Sequence, residues 1–154
     1  AFAPVDYRPD APADEWSGDS GCGVQYFSQQ AVARLCGPAG MELPQGLSPA
    51  EKLVEVQKLM NAGDPRAVRI YETIGVYLGY SIAHYADFYE ISNVLLLGRV
   101  MSGSGGKIIV EEAGKVVSKE FPELAEKIKF RVPGEKEKRH GQAIAAASLP
   151  KIEK

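Results

Sequence analysis

The stretch from Asn93 to Gly106, NVLLLGRVMSGSGG, constrains the fold of this chain more than any other. Val94–Leu97 are too few apolar residues for an independent helix, and their flanks Asn93 and Gly98 favour a strand buried on both faces of a mixed or parallel sheet. A turn rich in glycine and serine follows. Apolar residues then return at the spacing of a helix, at Ile108, Ile109, Ala113, Val116 and Val117.

The order strand, glycine-rich turn, helix has two interpretations. It is the arrangement that brings backbone N–H groups and a helix N-terminus up to an anion or a nucleotide. Short glycine loops are also unspecific signals, and most of them are only tight connections between a strand and a helix. The stretch alone therefore leaves both a ligand-binding loop and a plain connection open.

Composition and charge narrow the class of protein. The chain has 154 residues, 45% of them hydrophobic and 25% charged, which is ordinary for one globular domain or for one lobe of a larger protein. A net charge of −2 shows no excess of positive charge for binding nucleic acid. No apolar run approaches the length of a membrane span, so we expect no membrane partner. The two cysteines, Cys22 and Cys36, suit a reducing cytoplasm.

Residues 1–23 contain several prolines and glycines and no apolar period, so they predict a loop. A loop of this length is uncommon at the start of a self-contained domain. We interpret it as a continuation from a missing N-terminal lobe, with residues 24–154 forming the lobe that follows.

Three helices are predicted before the central stretch. The first carries Phe27, Ala31, Val32 and Leu35, with Ser28 near its start and Gly37-Pro38 as its end. The second begins at Ser48-Pro49-Ala50-Glu51, where the serine caps the helix, the proline takes the first helical position and the glutamate completes a capping box. Its apolar face is Leu53, Val56 and Leu59.

The third helix starts at Asp64-Pro65 and is predicted to be long, extending from Ala67 to Tyr89. Gly75, Gly79 and Ala83 recur four apart on it. Interior glycines cost a helix about 1 kcal/mol each relative to alanine, so this spacing predicts close packing against another element. His84 lacks a nearby metal-type partner in sequence, so a surface or core histidine is the favoured interpretation.

After the central helix, Pro122-Glu123-Leu124 predicts a short helical turn. Ile128, Phe130 and Val132 then alternate with charged residues and predict a half-exposed strand at a sheet edge. Glu135–Arg139 is predicted to be a solvated loop, and Gln142–Leu149 an alanine-rich helix. The class is therefore α/β, with few strands and heavy helical cover.

Three segments together resemble a known family: GCGVQYFSQQAV, GDPRAVRIYETIGVYLGYSIAHYADFYEISNVLLLG and GQAIAAASLP. They are similar in order and spacing to the C-terminal half of the ROK family, bacterial sugar kinases and sugar-responsive repressors with the actin/hexokinase ATPase fold. The resemblance covers about residues 16–150. It implies the C-terminal lobe of an actin-like ATPase (ribonuclease H-like) fold, a small mixed sheet covered by helices.

By this resemblance the loop from Gly98 borders the adenosine of ATP or ADP, which binds with Mg²⁺ in the full-length protein. The expected contacts are Gly98, Ser102, Gly103 and Gly105. The expected activity is ATP-dependent phosphorylation of a sugar or a related small molecule. The alternative is a non-catalytic sugar-sensing or dimerisation domain of a ROK-type transcriptional regulator, with a homodimer as a possible assembly.

The sequence departs from the family at its zinc and sugar positions. Glu15 and Ser17 stand where the family's zinc-binding motif has two cysteines, so we expect no zinc, because tetrahedral zinc needs four good ligands. Val24 stands where the family has a sugar-contacting glutamate. Arg99 and Val100 replace glycines of the family's strand-end loop.

The family's first phosphate-binding hairpin and its catalytic aspartate belong to the N-terminal half, and nothing in this sequence resembles either. Phosphoryl transfer needs metal-bound phosphates, an aligned nucleophile and a base. We therefore assign no catalytic residue here, and the isolated chain is predicted to be inactive as a kinase.

Overall fold

The computed structural model of the chain describes residues 3–134. The predicted solvated loop at 135–139 and the predicted helix at 142–149 lie outside these residues. Within them the elements are, in chain order, helices α1 (Val24–Phe27), α2 (Gln29–Leu35), α3 (Pro49–Asn61) and α4 (Pro65–Ala86), strand β1 (Asn93–Leu95), a 3-10 helix (Arg99–Met101), helices α5 (Gly103–Glu120) and α6 (Pro122–Ala125), and strand β2 (Lys129–Arg131).

Residues 3–23 form the predicted loop, whose β-type pairing is limited to two isolated bridges, Pro4 with Cys22 and Ala13 with Ser20. The Asp6 carboxylate holds the start of this loop, because it accepts hydrogen bonds from the Arg8 guanidinium and from the Tyr26 hydroxyl of α1. That the loop continues from an N-terminal lobe stays a prediction.

The predicted helix starts are confirmed. The Ser48 hydroxyl accepts a hydrogen bond from the backbone N–H of Glu51 at 3.4 Å, and the Ser48 N–H donates to the Glu51 carboxylate at 2.8 Å, which completes the capping box of α3. At the start of α4 the Asp64 carboxylate accepts from the Arg66 N–H at 2.9 Å, with Pro65 at the first helical position. Ser28 caps α2 in the same way.

The Asp64 cap predicts a loss of stability in acid. Hydrogen bonds from the Arg66 side chain, and then from its backbone N–H, lower the pKa of Asp64 from 3.8 to about 2. A carboxylate whose pKa is lowered in the folded state stabilises that state above its unfolded pKa, and the contribution is lost as the pH falls towards 2. Thermal melts at pH 7, 4 and 2.5 should show Asp64→Asn losing less stability in acid than the parent. Equal losses would contradict this.

Helix α4 is the centre of the core. Its buried face includes Ala67, Tyr71, Ile74, Leu78 and Ile82. The helix ends at Ala86 and not at Tyr89 as predicted. Its last turn tightens, because the Asp87 N–H donates to the His84 carbonyl three residues before it. Phe88 and Tyr89 are 69% and 70% exposed, so they make no buried contacts that would extend the helix.

His84 lies in an aromatic cluster near the end of α4. Its ring makes an edge contact with Phe88 at 5.4 Å between centroids, and its Nε2 lies 3.3 Å from the Tyr7 hydroxyl. Within residues 3–134 there is no group of three or more His, Cys, Asp or Glu side chains that could hold a metal ion. His84 is thus a half-buried helix residue whose described contacts are with aromatic side chains.

The glycine stripe of α4 packs against α5, which confirms the prediction of close approach. A Cβ on Gly75 would lie 2.6 Å from the Cβ of Glu112 and 2.8 Å from the carbonyl oxygen of Ile109, and a Cβ on Gly79 would lie 2.6 Å from the Cβ of Val116. The two helices therefore meet with their backbones closer than any side chain at Gly75 or Gly79 would permit.

Strands β1 and β2 pair in parallel, with Val94 opposite Phe130. The described sheet is therefore parallel and not mixed. The prediction that Val94–Leu97 are buried on both faces is wrong: Val94 and Leu96 pack towards the core, whereas Leu95 and Leu97 are 59% and 56% exposed. The helices of the described chain cover one face of this sheet only. Strand β2 is half-exposed, as predicted.

None of the helices described is long and apolar enough to cross a membrane.

Candidate functional site

The candidate site is the connection from β1 to α5. Gly98 has a φ of +106° and opens the 3-10 helix Arg99–Met101, and Gly103 has a φ of +68° and opens α5. Backbone N–H groups close this turn, since Met101 donates to the Gly98 carbonyl at 3.1 Å and Ser102 to the Arg99 carbonyl at 3.1 Å. Only glycine adopts such positive φ values at no steric cost, so these two glycines shape the loop.

The glycines of this stretch fall into two classes. Gly98 and Gly103 are exposed, and a Cβ on either would meet nothing within 4 Å, so their backbones are open to a ligand. Gly105 and Gly106 are buried in the first turn of α5. A Cβ on Gly105 would lie 2.7 Å from Cδ1 of the Tyr71 ring, and one on Gly106 would lie 2.7 Å from the carbonyl carbon of Met101.

Of the four predicted contact residues, the structure thus places Gly98, Ser102 and Gly103 at the accessible part of the loop and Gly105 beneath it, against Tyr71. The predicted turn is also shorter than expected, because α5 already begins at Gly103. That any of the four touches a nucleotide stays a prediction.

A groove of about 390 Å³ adjoins the loop. One part of its wall is apolar, and the other part carries one positive and one negative side chain four residues apart on α5. The lining residues are Met101, Gly103, Gly106, Lys107, Val110, Glu111 and Val132. The groove therefore combines an apolar surface with one positive and one negative side chain, and the positive one lies just after the first turn of α5.

The start of α5 has unused hydrogen-bonding capacity. The first four N–H groups of a helix have no partner within the helix, and Ser102, at the N-cap, makes no side-chain cap hydrogen bond. Together with the partial positive charge of a helix N-terminus, such N–H groups attract an anion. The exposed Lys107 adds a full positive charge to the same end of α5.

Helix α3 supports the loop from a second direction. The Gln57 side-chain amide donates to the Arg99 carbonyl at 3.2 Å, and the Ser104 hydroxyl donates to the Asn61 side-chain oxygen at 3.3 Å. The Tyr71 ring lies against Gly105, and burial raises the pKa of its hydroxyl to about 12. That hydroxyl is buried without a hydrogen-bond partner.

Apart from Gly103, the sequence did not single out the residues that line the groove, and it did not reveal the contacts with α3. Val132 and Gln57 lie far from the loop along the chain, and only the fold brings them to it. Lys107 carried a weak local signal, since a lysine just after the first turn of a helix that follows a glycine loop stands near any anion bound there.

The segment that resembles the family's zinc motif is held by hydrogen bonds. The Asp14 carboxylate accepts from the backbone N–H groups of Trp16 at 3.1 Å and Ser17 at 2.8 Å, which lowers its pKa. The Cys22 thiol is 1% exposed and donates to the Asp19 carbonyl at 3.3 Å. That the protein contains no zinc stays a prediction, as does the lack of a sugar contact at Val24.

Comparison with known families identifies the class of protein. The sequence model of the ROK family matches residues 16–149, which is most of the chain. This chain belongs to the ROK family. Membership implies the actin-like ATPase fold, and the described helices and small parallel sheet are compatible with it. No curated protein and no solved structure matches the chain.

Proposed function

We propose that the loop Gly98–Gly106 and its groove form the adenosine side of a nucleotide cleft, in the C-terminal lobe of a ROK-type sugar kinase-like protein. The full-length protein would phosphorylate a sugar or a related small molecule with ATP and Mg²⁺. The observation that carries the proposal is the groove at the open start of α5, found in a member of a family of sugar kinases and sugar-responsive regulators.

The chemistry of the groove suits an adenine nucleotide. Met101, Val110 and Val132 offer an apolar wall for the face of a purine, and pockets for such ligands combine apolar walls with a few placed polar groups. The open backbone at Gly103 and the Lys107 ammonium stand where phosphate oxygens would find N–H donors and positive charge.

Lys107→Glu should weaken the binding of Mg·ADP by about tenfold. At an exposed site the loss of an attraction and the gain of a repulsion are each worth up to about 0.7 kcal/mol, and about 1.4 kcal/mol is a tenfold change in Kd. Calorimetric or NMR titration of the parent and the variant measures the ratio, and thermal melts should show little change, because Lys107 is exposed.

Lys119→Glu is the matched control, since Lys119 is exposed in the last turn of the same helix. It makes the same change in net charge far from the groove, so its effect on ADP affinity should be less than twofold. If the two variants weaken binding equally, only net charge matters and the groove is not the site.

The second candidate is a non-catalytic sugar-sensing or dimerisation domain of a ROK-type regulator. The observation that favours it is the exposed apolar pair Leu95 and Leu97 on the outer face of the sheet, since contiguous apolar surface often marks protein contacts. An upstream helix-turn-helix in the longer polypeptide would support the regulator, and an upstream Asp-x-Gly phosphate hairpin would support the kinase.

A further inference from the structure

Two opposite charges follow each other along the groove, and the proposed function has used only the positive one. Lys107 lies just after the first turn of α5, and Glu111 lies four residues further from the helix N-terminus. Residues four apart lie on one face of a helix, about 6 Å apart along its axis. Both side chains are exposed, and both line the groove. The groove is therefore positive beside the loop and negative one turn further along α5.

Both charges are without a partner in the part of the chain that the structure describes. Lysine and glutamate four residues apart on a helix often form an ion pair. Among the described residues, however, neither Lys107 nor Glu111 takes part in an ion pair or a side-chain hydrogen bond. The neighbouring Glu112 differs, because its carboxylate pairs with Lys115. Glu111 thus keeps a carboxylate that is available to a ligand in the groove.

A carboxylate at this place discriminates between the two ends of a nucleotide. It repels phosphates, whereas the Lys107 ammonium and the N–H groups at the start of α5 attract them. An ionised carboxylate also accepts hydrogen bonds and donates none. The part of the ligand beside Glu111 should therefore carry N–H donors, such as the amino group of adenine, and no phosphate.

We infer that Glu111 sets the orientation of the nucleotide in the groove: its carboxylate keeps the phosphates at the Lys107 end and leaves its own end of the groove to the base. The inference rests on the proposed function, because it concerns the ligand of that same site. The reversed orientation would lose the attraction of Lys107 and meet the repulsion of Glu111. By charge alone it should be about tenfold less populated.

The test locates the phosphates by paramagnetic broadening, since Mn²⁺ can replace the Mg²⁺ bound to them and broadens the NMR signals of nearby amides. In the ¹⁵N-labelled parent with Mg·ADP and a trace of Mn²⁺, the amide signals of Gly103 and Ser104 should broaden more than those of Glu111 and Lys115. Glu111→Lys makes both ends of the groove positive, so the broadening should spread to Lys115, while the Kd for Mg·ADP falls by about twofold at most.

Glu123→Lys is the matched control, because Glu123 is exposed on α6 and the substitution makes the same change in net charge. It should keep the broadening pattern of the parent. The same concentration of Mn²⁺ without ADP gives the broadening that the protein surface alone causes, and this is subtracted. Thermal midpoints should change little in either variant, because both side chains are exposed.

Each outcome decides the matter. Broadening that spreads in Glu111→Lys but not in Glu123→Lys supports the inference, since a merely structural role would lower the thermal midpoint and leave the phosphates in place. The same pattern in the parent and in Glu111→Lys, an equal spread in both variants, or a parent whose strongest broadening lies at Glu111 overturns it while the parent still binds ADP. A parent that binds no ADP overturns the proposed function itself, and with it the role of Glu111.

Discussion

Gly75→Ala lowers the free energy of unfolding by about 2 kcal/mol, although alanine is the better helix former by up to about 1 kcal/mol. The new Cβ would lie 2.6 Å from the Cβ of Glu112 and 2.8 Å from the carbonyl oxygen of Ile109, both on α5. Backbone cannot rotate out of the way, so α4 and α5 must separate, and overpacking of this kind costs about 1–3 kcal/mol or more. Gly79→Ala is expected to behave alike, because Val116 is equally close.

Gly114→Ala is the matched control. Gly114 lies in the interior of α5, and a Cβ there meets nothing within 4 Å. The same substitution should therefore stabilise the protein by about 0.5–1 kcal/mol through helix propensity alone. Urea denaturation of both variants gives the two signs directly. A Gly75→Ala protein as stable as Gly114→Ala would show that the contact between α4 and α5 is looser than the structure has it.

Gly106→Ala is expected to have a still larger effect, a loss of about 3 kcal/mol. Its Cβ would lie 2.7 Å from the carbonyl carbon and 2.9 Å from the Cα of Met101, and all of these atoms are backbone. The first turn of α5 and the 3-10 helix before it would have to move apart, at a cost near the upper end for overpacking. Gly105→Ala meets the Tyr71 ring instead, which is buried and cannot swing out.

The measurement is again urea denaturation, with Gly114→Ala as the reference. If Gly106→Ala unfolds at the same urea concentration as the parent, the packing of Gly106 on Met101 is wrong. A loss of stability in Gly106→Ala beside a gain in Gly114→Ala would show that Gly106 serves the packing of the chain.

The helix starts could be predicted from the sequence because their chemistry is local. The Ser48–Glu51 capping box needs only residues three apart, and the Asp64 cap only its nearest neighbours. The stripe of Gly75 and Gly79 was equally clear, because a repeat of four residues on a helix has few explanations other than close packing. The pattern did not show that α5 is the helix that packs against this stripe.

The errors arose where long-range contacts decide. Val94–Leu97 form a uniform apolar run, and only the placement of the helices shows that Leu95 and Leu97 face outward. Gly103 and Gly105 look alike in sequence, but the Tyr71 ring, more than 30 positions away in the chain, covers one and leaves the other open. The groove was missed for the same reason, since Val132, the residue directly after β2, lines it.

The proposed function requires that the loop Gly98–Gly106 and its groove bind an adenine nucleotide. Titration of the ¹⁵N-labelled chain with Mg·ADP, up to about 10 mM so that weak binding is still seen, tests it most directly. We expect saturable shifts of the amide signals of Gly98, Ser102 and Gly103 together with those of Lys107 and Val110. The absence of any saturable shift, or the largest shifts at residues outside the loop and the groove, would contradict it.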